Sequence, residues 1–127
     1  MKETSLIVLF GALGTLARYG AGRLSRQLLG AGFPYGTLLV NVVGCLLFGL
    51  LAELALGSEA VPRVLKLALT IGFLGAFTTF STFGYETLQL ARDGALSSAV
   101  ANGAANLALG LLAVWVGIGA GKLLVPG

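Results

Sequence analysis

The chain has 127 residues, of which 57% are hydrophobic and only 10% charged, and its mean hydropathy is +0.95. Soluble domains carry about 25% charged residues, so this composition excludes an ordinary water-soluble globule. The net charge is +3, histidine is absent and Cys45 is the one cysteine, which excludes an intramolecular disulfide and the usual histidine and thiolate metal sites.

A helix needs about 20 mainly apolar residues to cross the hydrocarbon core, so the chain has room for four crossings in a single domain, 1–127, and for little else. The apolar runs predict them at roughly 6–19, 36–56, 67–90 and 96–124, joined by short polar connections. The first ends in Gly11-Ala-Leu-Gly-Thr-Leu-Ala-Arg18-Tyr19, with Arg18 near the aqueous boundary. The second opens Gly36-Thr37-Leu-Leu-Val-Asn41-Val-Val-Gly44. An amide at membrane depth needs a partner and faces protein or water. Asn41 therefore serves equally well as a bond between helices or as part of a hydrated path.

The third run carries the densest chemistry. Leu67 to Phe83 has no charged residue, yet Gly72-Phe-Leu-Gly75-Ala-Phe77-Thr78-Thr79-Phe80-Ser81-Thr82-Phe83 crowds glycines, hydroxyls and phenylalanines into it. The glycines and Thr78-Thr79 invite a break in the helix. Irregular backbone at this depth is tolerated only where it is buried in protein or lines a hydrated path. Phe77, Phe80 and Phe83 recur every third residue and share a face of any one helix they occupy. Such a stripe is ordinarily core packing. Each ring also has a positive edge, and ring edges combined with amide and hydroxyl donors make a weak anion site of the kind conduction needs.

The fourth run holds Asn102 and Asn106, one helical turn apart on one face and suited to hydrogen bonding between helices. Gly103, Gly110, Gly117 and Gly121 there, with Gly36, Gly44 and Gly49 in the second run, permit close helix approach. Glu53 and Glu86 lie toward the ends of their runs, where solvated surface positions are expected. With four alternating crossings, Lys2, Arg63, Lys66 and Lys122 fall on one side and Arg18, Arg23, Arg26 and Arg92 on the other. That balance leaves almost no charge bias to orient the chain; it is either chance in a chain with few charges or a sign of insertion both ways up with an inverted pair as the working unit. The absence of histidine and of a paired carboxylate set argues against an enzyme. No feature suggests a nucleic-acid partner.

Taken together, the third-run segment from Gly72 to Phe83 closely resembles the third-helix signature of the Fluc (CrcB) fluoride channels. The segments Gly11 to Tyr19 and Gly36 to Gly44 resemble that family's first and second motifs, in the same order. The resemblance covers essentially the whole chain. It implies an all-α membrane protein of four transmembrane helices with a break in the third, assembled as an antiparallel dual-topology homodimer in a prokaryotic inner membrane. The implied activity is passive, selective conduction of fluoride through two antiparallel pores. It further implies a structural sodium ion at the dimer centre on the backbone carbonyls of Gly75 and Thr78. Phe80 and Phe83 match the aromatic box, Asn41 the pore asparagine, Thr37 a hydroxyl near it and Arg18 the vestibule arginine. Ser81 and Thr82 fall in the polar track, and Asn106 fits the fourth-helix pattern. Ala76 stands where the family commonly has glycine, and Ala108 and Gly110 where many members offer a serine. Competing readings are a small dual-topology multidrug transporter, which needs an embedded carboxylate absent from the first run, and a noncatalytic membrane assembly protein.

Overall fold

The computed structural model describes residues 2–124, and every regular element among them is helical. Helix α1 is Lys2–Leu29; α2 is Tyr35–Leu51, continued by a π-helical turn, Ala52–Leu56. Then come α3 (Arg63–Leu67), a second π-helical stretch (Ala68–Leu74), α4 (Gly75–Phe77), α5 (Phe80–Arg92) and α6 (Leu96–Leu124). They form four stretches long and apolar enough to cross a membrane: Lys2–Leu29, Tyr35–Leu56, Arg63–Arg92 and Leu96–Leu124.

Helix α1 outlasts its apolar run, continuing past Tyr19 to Leu29. Arginine, leucine and glutamine are good helix formers, so the rise in polarity ends immersion without ending the helix. Gly30, at φ 81°, ends it, and Gly94, at φ 82°, ends α5, where the Ala95 N–H reaches back to the Leu90 carbonyl at 2.9 Å. Both glycines hold the left-handed conformation that closes helices without a Cβ penalty.

Helices alternate in direction. Arg63 pairs with Glu3 at 3.4 Å, placing the start of the third crossing beside the start of α1. The Lys66 ammonium donates to the Leu56 carbonyl at 3.1 Å, joining it to the end of the second. Lys2, Arg63, Lys66 and Lys122 thus lie toward one end, and Arg23, Arg26 and Arg92 toward the other.

The most extensive contact is between α2 and α6, while α1 packs on the Ala68–Leu74 stretch and α4. Gly49 faces the backbone of Val114 and Ile118, and Gly117 faces the backbone of Leu46, Gly49 and Leu50. Any side chain at these two positions would push the helices apart, and in lipid such close packing replaces the hydrophobic drive. The core is accordingly small, built on Val40, Ala55, Ala68, Leu74, Phe77, Ala99 and Ala113. Most large apolar side chains, including Leu107, Leu111 and Trp115, point outward.

Candidate functional site

The site is organised by two residues of extended backbone between α4 and α5. Thr78 has φ −84° and ψ 162°, and Thr79 has φ −154° and ψ 116°. β-branched side chains favour such conformations. An extended pair inside a crossing leaves main-chain groups that must find other partners.

Asn41, from α2, supplies them. Its Oδ1 accepts the Thr79 N–H at 2.8 Å, and its Nδ2 donates to the Thr79 carbonyl at 3.1 Å. The donor that a continued helix would send to the Gly75 carbonyl is therefore diverted to Asn41. The second Nδ2 hydrogen of Asn41 goes to Asn106 Oδ1 on α6 at 2.9 Å. Asn106 Nδ2 in turn donates to the Asn102 carbonyl at 3.0 Å and to Asn102 Oδ1 at 3.1 Å. One asparagine thus ties three crossings together.

Thr79 also caps α5. Its Oγ1 accepts the Thr82 N–H at 3.2 Å, donates to Thr82 Oγ1 at 3.0 Å and lies 3.4 Å from Ser81 Oγ. The threonine N-cap satisfies one of the orphan donors at the helix start and gathers three hydroxyls at one point.

Cavities flank this junction on both sides. The first, about 530 Å³, opens near the ends of α1 and α5 and is lined by Arg18, Thr37, Thr79, Thr82 and Glu86, among others. The second, about 370 Å³, is mostly apolar and is lined by Asn41, Thr70, Gly75, Thr78, Thr79 and Phe80, among others. Thr79 lines both. Thr37 and Asn41, one turn apart on α2, face one cavity each. Ser81, Phe83 and Asn106 line neither.

The three phenylalanines do not share a face, contrary to their spacing, because the extended pair intervenes. Phe77 is buried and stacks on Phe73 with centroids 5.6 Å apart. Phe80 is 83% exposed and meets half-buried Phe83 in a tilted contact, centroids 5.6 Å apart and planes at 60°. Gly75 is exposed and Thr78 half-buried, and the Thr78 hydroxyl donates to the Leu74 carbonyl at 2.9 Å.

Sequence reasoning misplaced one residue and passed over another. Glu86, expected at a solvated surface, lines the first cavity, and its Oε2 is shielded from solvent with no hydrogen-bond partner among the described residues. The spacing of Thr82, Glu86 and Gln89 along one side of α5, all lining that cavity, was the available signal. Asn102 hydrogen-bonds between helices, as its position on α6 suggested, and its partner on α5 is Thr87, which the sequence did not single out.

Four membrane-length helical stretches around a polar junction define a multi-pass membrane protein. A family model described as CrcB-like protein, Camphor Resistance (CrcB), matches residues 5–118, and the chain belongs to that family. Among its relatives, a protein of Dehalococcoides mccartyi is 49% identical over 98% of this chain and 95% of its own length. One from Geobacter metallireducens is 51% identical over 88% of this chain and 90% of its own. Another, from Geobacter sulfurreducens, is 50% identical over 98% of this chain and 100% of its own. Each is named fluoride-specific ion channel FluC.

Proposed function

We propose that this protein is a fluoride-selective passive channel of a prokaryotic inner membrane, not an enzyme, working as an antiparallel dual-topology homodimer with two pores. The observation that carries the reading is the junction at Thr79, where two cavities meet at amide and hydroxyl groups and no charged side chain is hydrogen-bonded. Relatives named as fluoride channels support the choice of ion.

Fluoride enters the first cavity, where Arg18 raises the local anion concentration. It passes the Thr37, Thr79 and Thr82 hydroxyls to Asn41 and leaves past the ring edge of Phe80. Both Asn41 N–H groups are already engaged, so an arriving anion must compete with protein acceptors for a donor. Its net binding is then the small difference between two hydrogen bonds. That favours fluoride, the strongest acceptor among the halides, and keeps the hold weak enough for release.

Gly75 and Thr78 would supply main-chain carbonyls for a structural sodium ion. Both line the second cavity, and the helical donor to Gly75 is diverted. A second inverted copy, related by a two-fold axis, would bring the same two carbonyls again. The bound ion would supply a hard cationic cross-link between copies. The exposure of Phe80 and Gly75 beside an apolar groove supports a protein partner there.

Liposomes containing only this polypeptide should release fluoride and retain chloride at equal gradients, and the dimer should lose thermal stability when sodium is replaced by a large organic cation. Equal chloride release would refute the channel reading, and an unchanged unfolding temperature would remove sodium from it. The shielded oxygen of Glu86 is the one feature favouring a proton-coupled transporter instead; flux that depends on an imposed proton gradient would select that reading.

A single cysteine placed between Gly57 and Pro62, in a Cys45→Ser background, tests dual topology. A membrane-impermeant thiol reagent should label about half of the copies in intact cells, as expected for a chain without charge bias. Labelling of nearly all or nearly none would overturn this part of the proposal.

A further inference from the structure

Asn102 is 0% exposed, and its Nδ2 donates to Thr87 Oγ1 on α5 at 2.9 Å. The Thr87 hydroxyl donates in turn to the Phe83 carbonyl at 2.7 Å. With the bonds described above, this completes one continuous chain: Thr79 N–H to Asn41, Asn41 to Asn106, Asn106 to Asn102, Asn102 to Thr87, Thr87 to the Phe83 carbonyl. Each carboxamide accepts on its oxygen from the previous member and donates from its nitrogen to the next.

The two ends decide the direction. A backbone N–H can only donate and a backbone carbonyl can only accept. Asn41 must therefore turn its oxygen to Thr79, and Asn102 must turn its nitrogen to a hydroxyl whose own proton is committed to Phe83. No carboxamide between them can rotate to exchange its O and N without setting donor against donor or acceptor against acceptor at a neighbour. Water cannot relieve such a mismatch at Asn102, which is fully enclosed. Buried networks of this kind are stable only when every member is satisfied.

We infer that Asn102 and Thr87 form a positioning pair for the conduction site, holding Asn106 so that its oxygen keeps the Asn41 carboxamide in the one orientation whose N–H groups an arriving anion can compete for. Neither residue lines either cavity, so they act through Asn106 and not on the ion. The inference rests on the channel reading.

Unitary fluoride current tests it, because the current through one open channel does not depend on how much protein has folded. Thr87→Val keeps the side chain's shape and removes the acceptor for Asn102. Unitary current should fall about tenfold or more and chloride rejection should weaken, whereas Thr87→Ser, which restores the hydroxyl, should return current to within about twofold of wild type. Thr87→Ala removes the same acceptor with less crowding and should behave like valine. Wild-type unitary current in either apolar variant would overturn the inference, even with reduced thermal stability. Failure of both apolar variants to fold while Thr87→Ser folds would overturn it too, since the pair would then serve stability alone. If wild type itself passes no fluoride, it is the channel reading that fails.

Discussion

Asn41→Asp should abolish fluoride efflux, lowering it by about a hundredfold or more. The substitution replaces a nitrogen that donates to the Thr79 carbonyl and to Asn106 Oδ1 with an oxygen that cannot donate when ionised. Two lone-pair oxygens, 3.1 and 2.9 Å away, would then face a carboxylate. Each buried hydrogen bond left unmade costs about 1–3 kcal/mol, and the added negative charge repels an anion at the junction. The main-chain N–H of Thr79 still finds its acceptor, so the extended segment keeps one of its two ties. Efflux from liposomes, normalised to dimer recovered by size exclusion, measures the effect. Flux within threefold of wild type would show that Asn41 only joins helices.

Phe80→Ile should suppress fluoride flux at least tenfold while leaving each protomer folded. Within the chain Phe80 is 83% exposed, so its removal opens no internal cavity, and isoleucine keeps an apolar volume of similar reach. What disappears is the positive ring edge beside the cavity that Asn41, Thr78 and Thr79 also line. A packing residue and a pore residue respond differently here. If the variant conducts normally, Phe80 only packs and the path runs elsewhere; if flux is lost because the dimer falls apart, Phe80 is an interface residue.

Much of the architecture could be read before any coordinates. Four crossings follow from hydropathy alone, since lipid offers the backbone no hydrogen-bond partner and long apolar stretches have to be helical. The lengths were harder: α1 runs on through Arg23 and Arg26 to Leu29 because helix propensity and membrane solubility are separate properties. Residues bearing donors, namely Asn41, Asn106, Thr37, Ser81 and Thr82, stood out against an apolar background for a simple reason. An amide or hydroxyl at depth is costly unless it is used.

Partnership was another matter. Asn41 and Thr79 are 38 positions apart and Asn41 and Asn106 are 65 apart, and no local rule connects such residues. That the Thr79 main chain is the group Asn41 serves depends on α2 lying against the third crossing, which the close packing of Gly44 on Thr78 permits. Spacing grouped Phe77 with Phe80 and Phe83, but spacing assumes one continuous helix. Two extended residues rotate Phe77 into the core and leave Phe80 outside. Glu86 looked like a surface carboxylate, but it lines a cavity shared by residues of α1 and α5, and one of its oxygens is shielded there. Composition and periodicity thus decided the solvent, the number of crossings and which polar side chains stand at depth, because those depend on each residue's own transfer energy. Which donor meets which acceptor, and in which direction the amide chain points, came only from tertiary packing, because a hydrogen bond is made by two groups at fixed distance and angle.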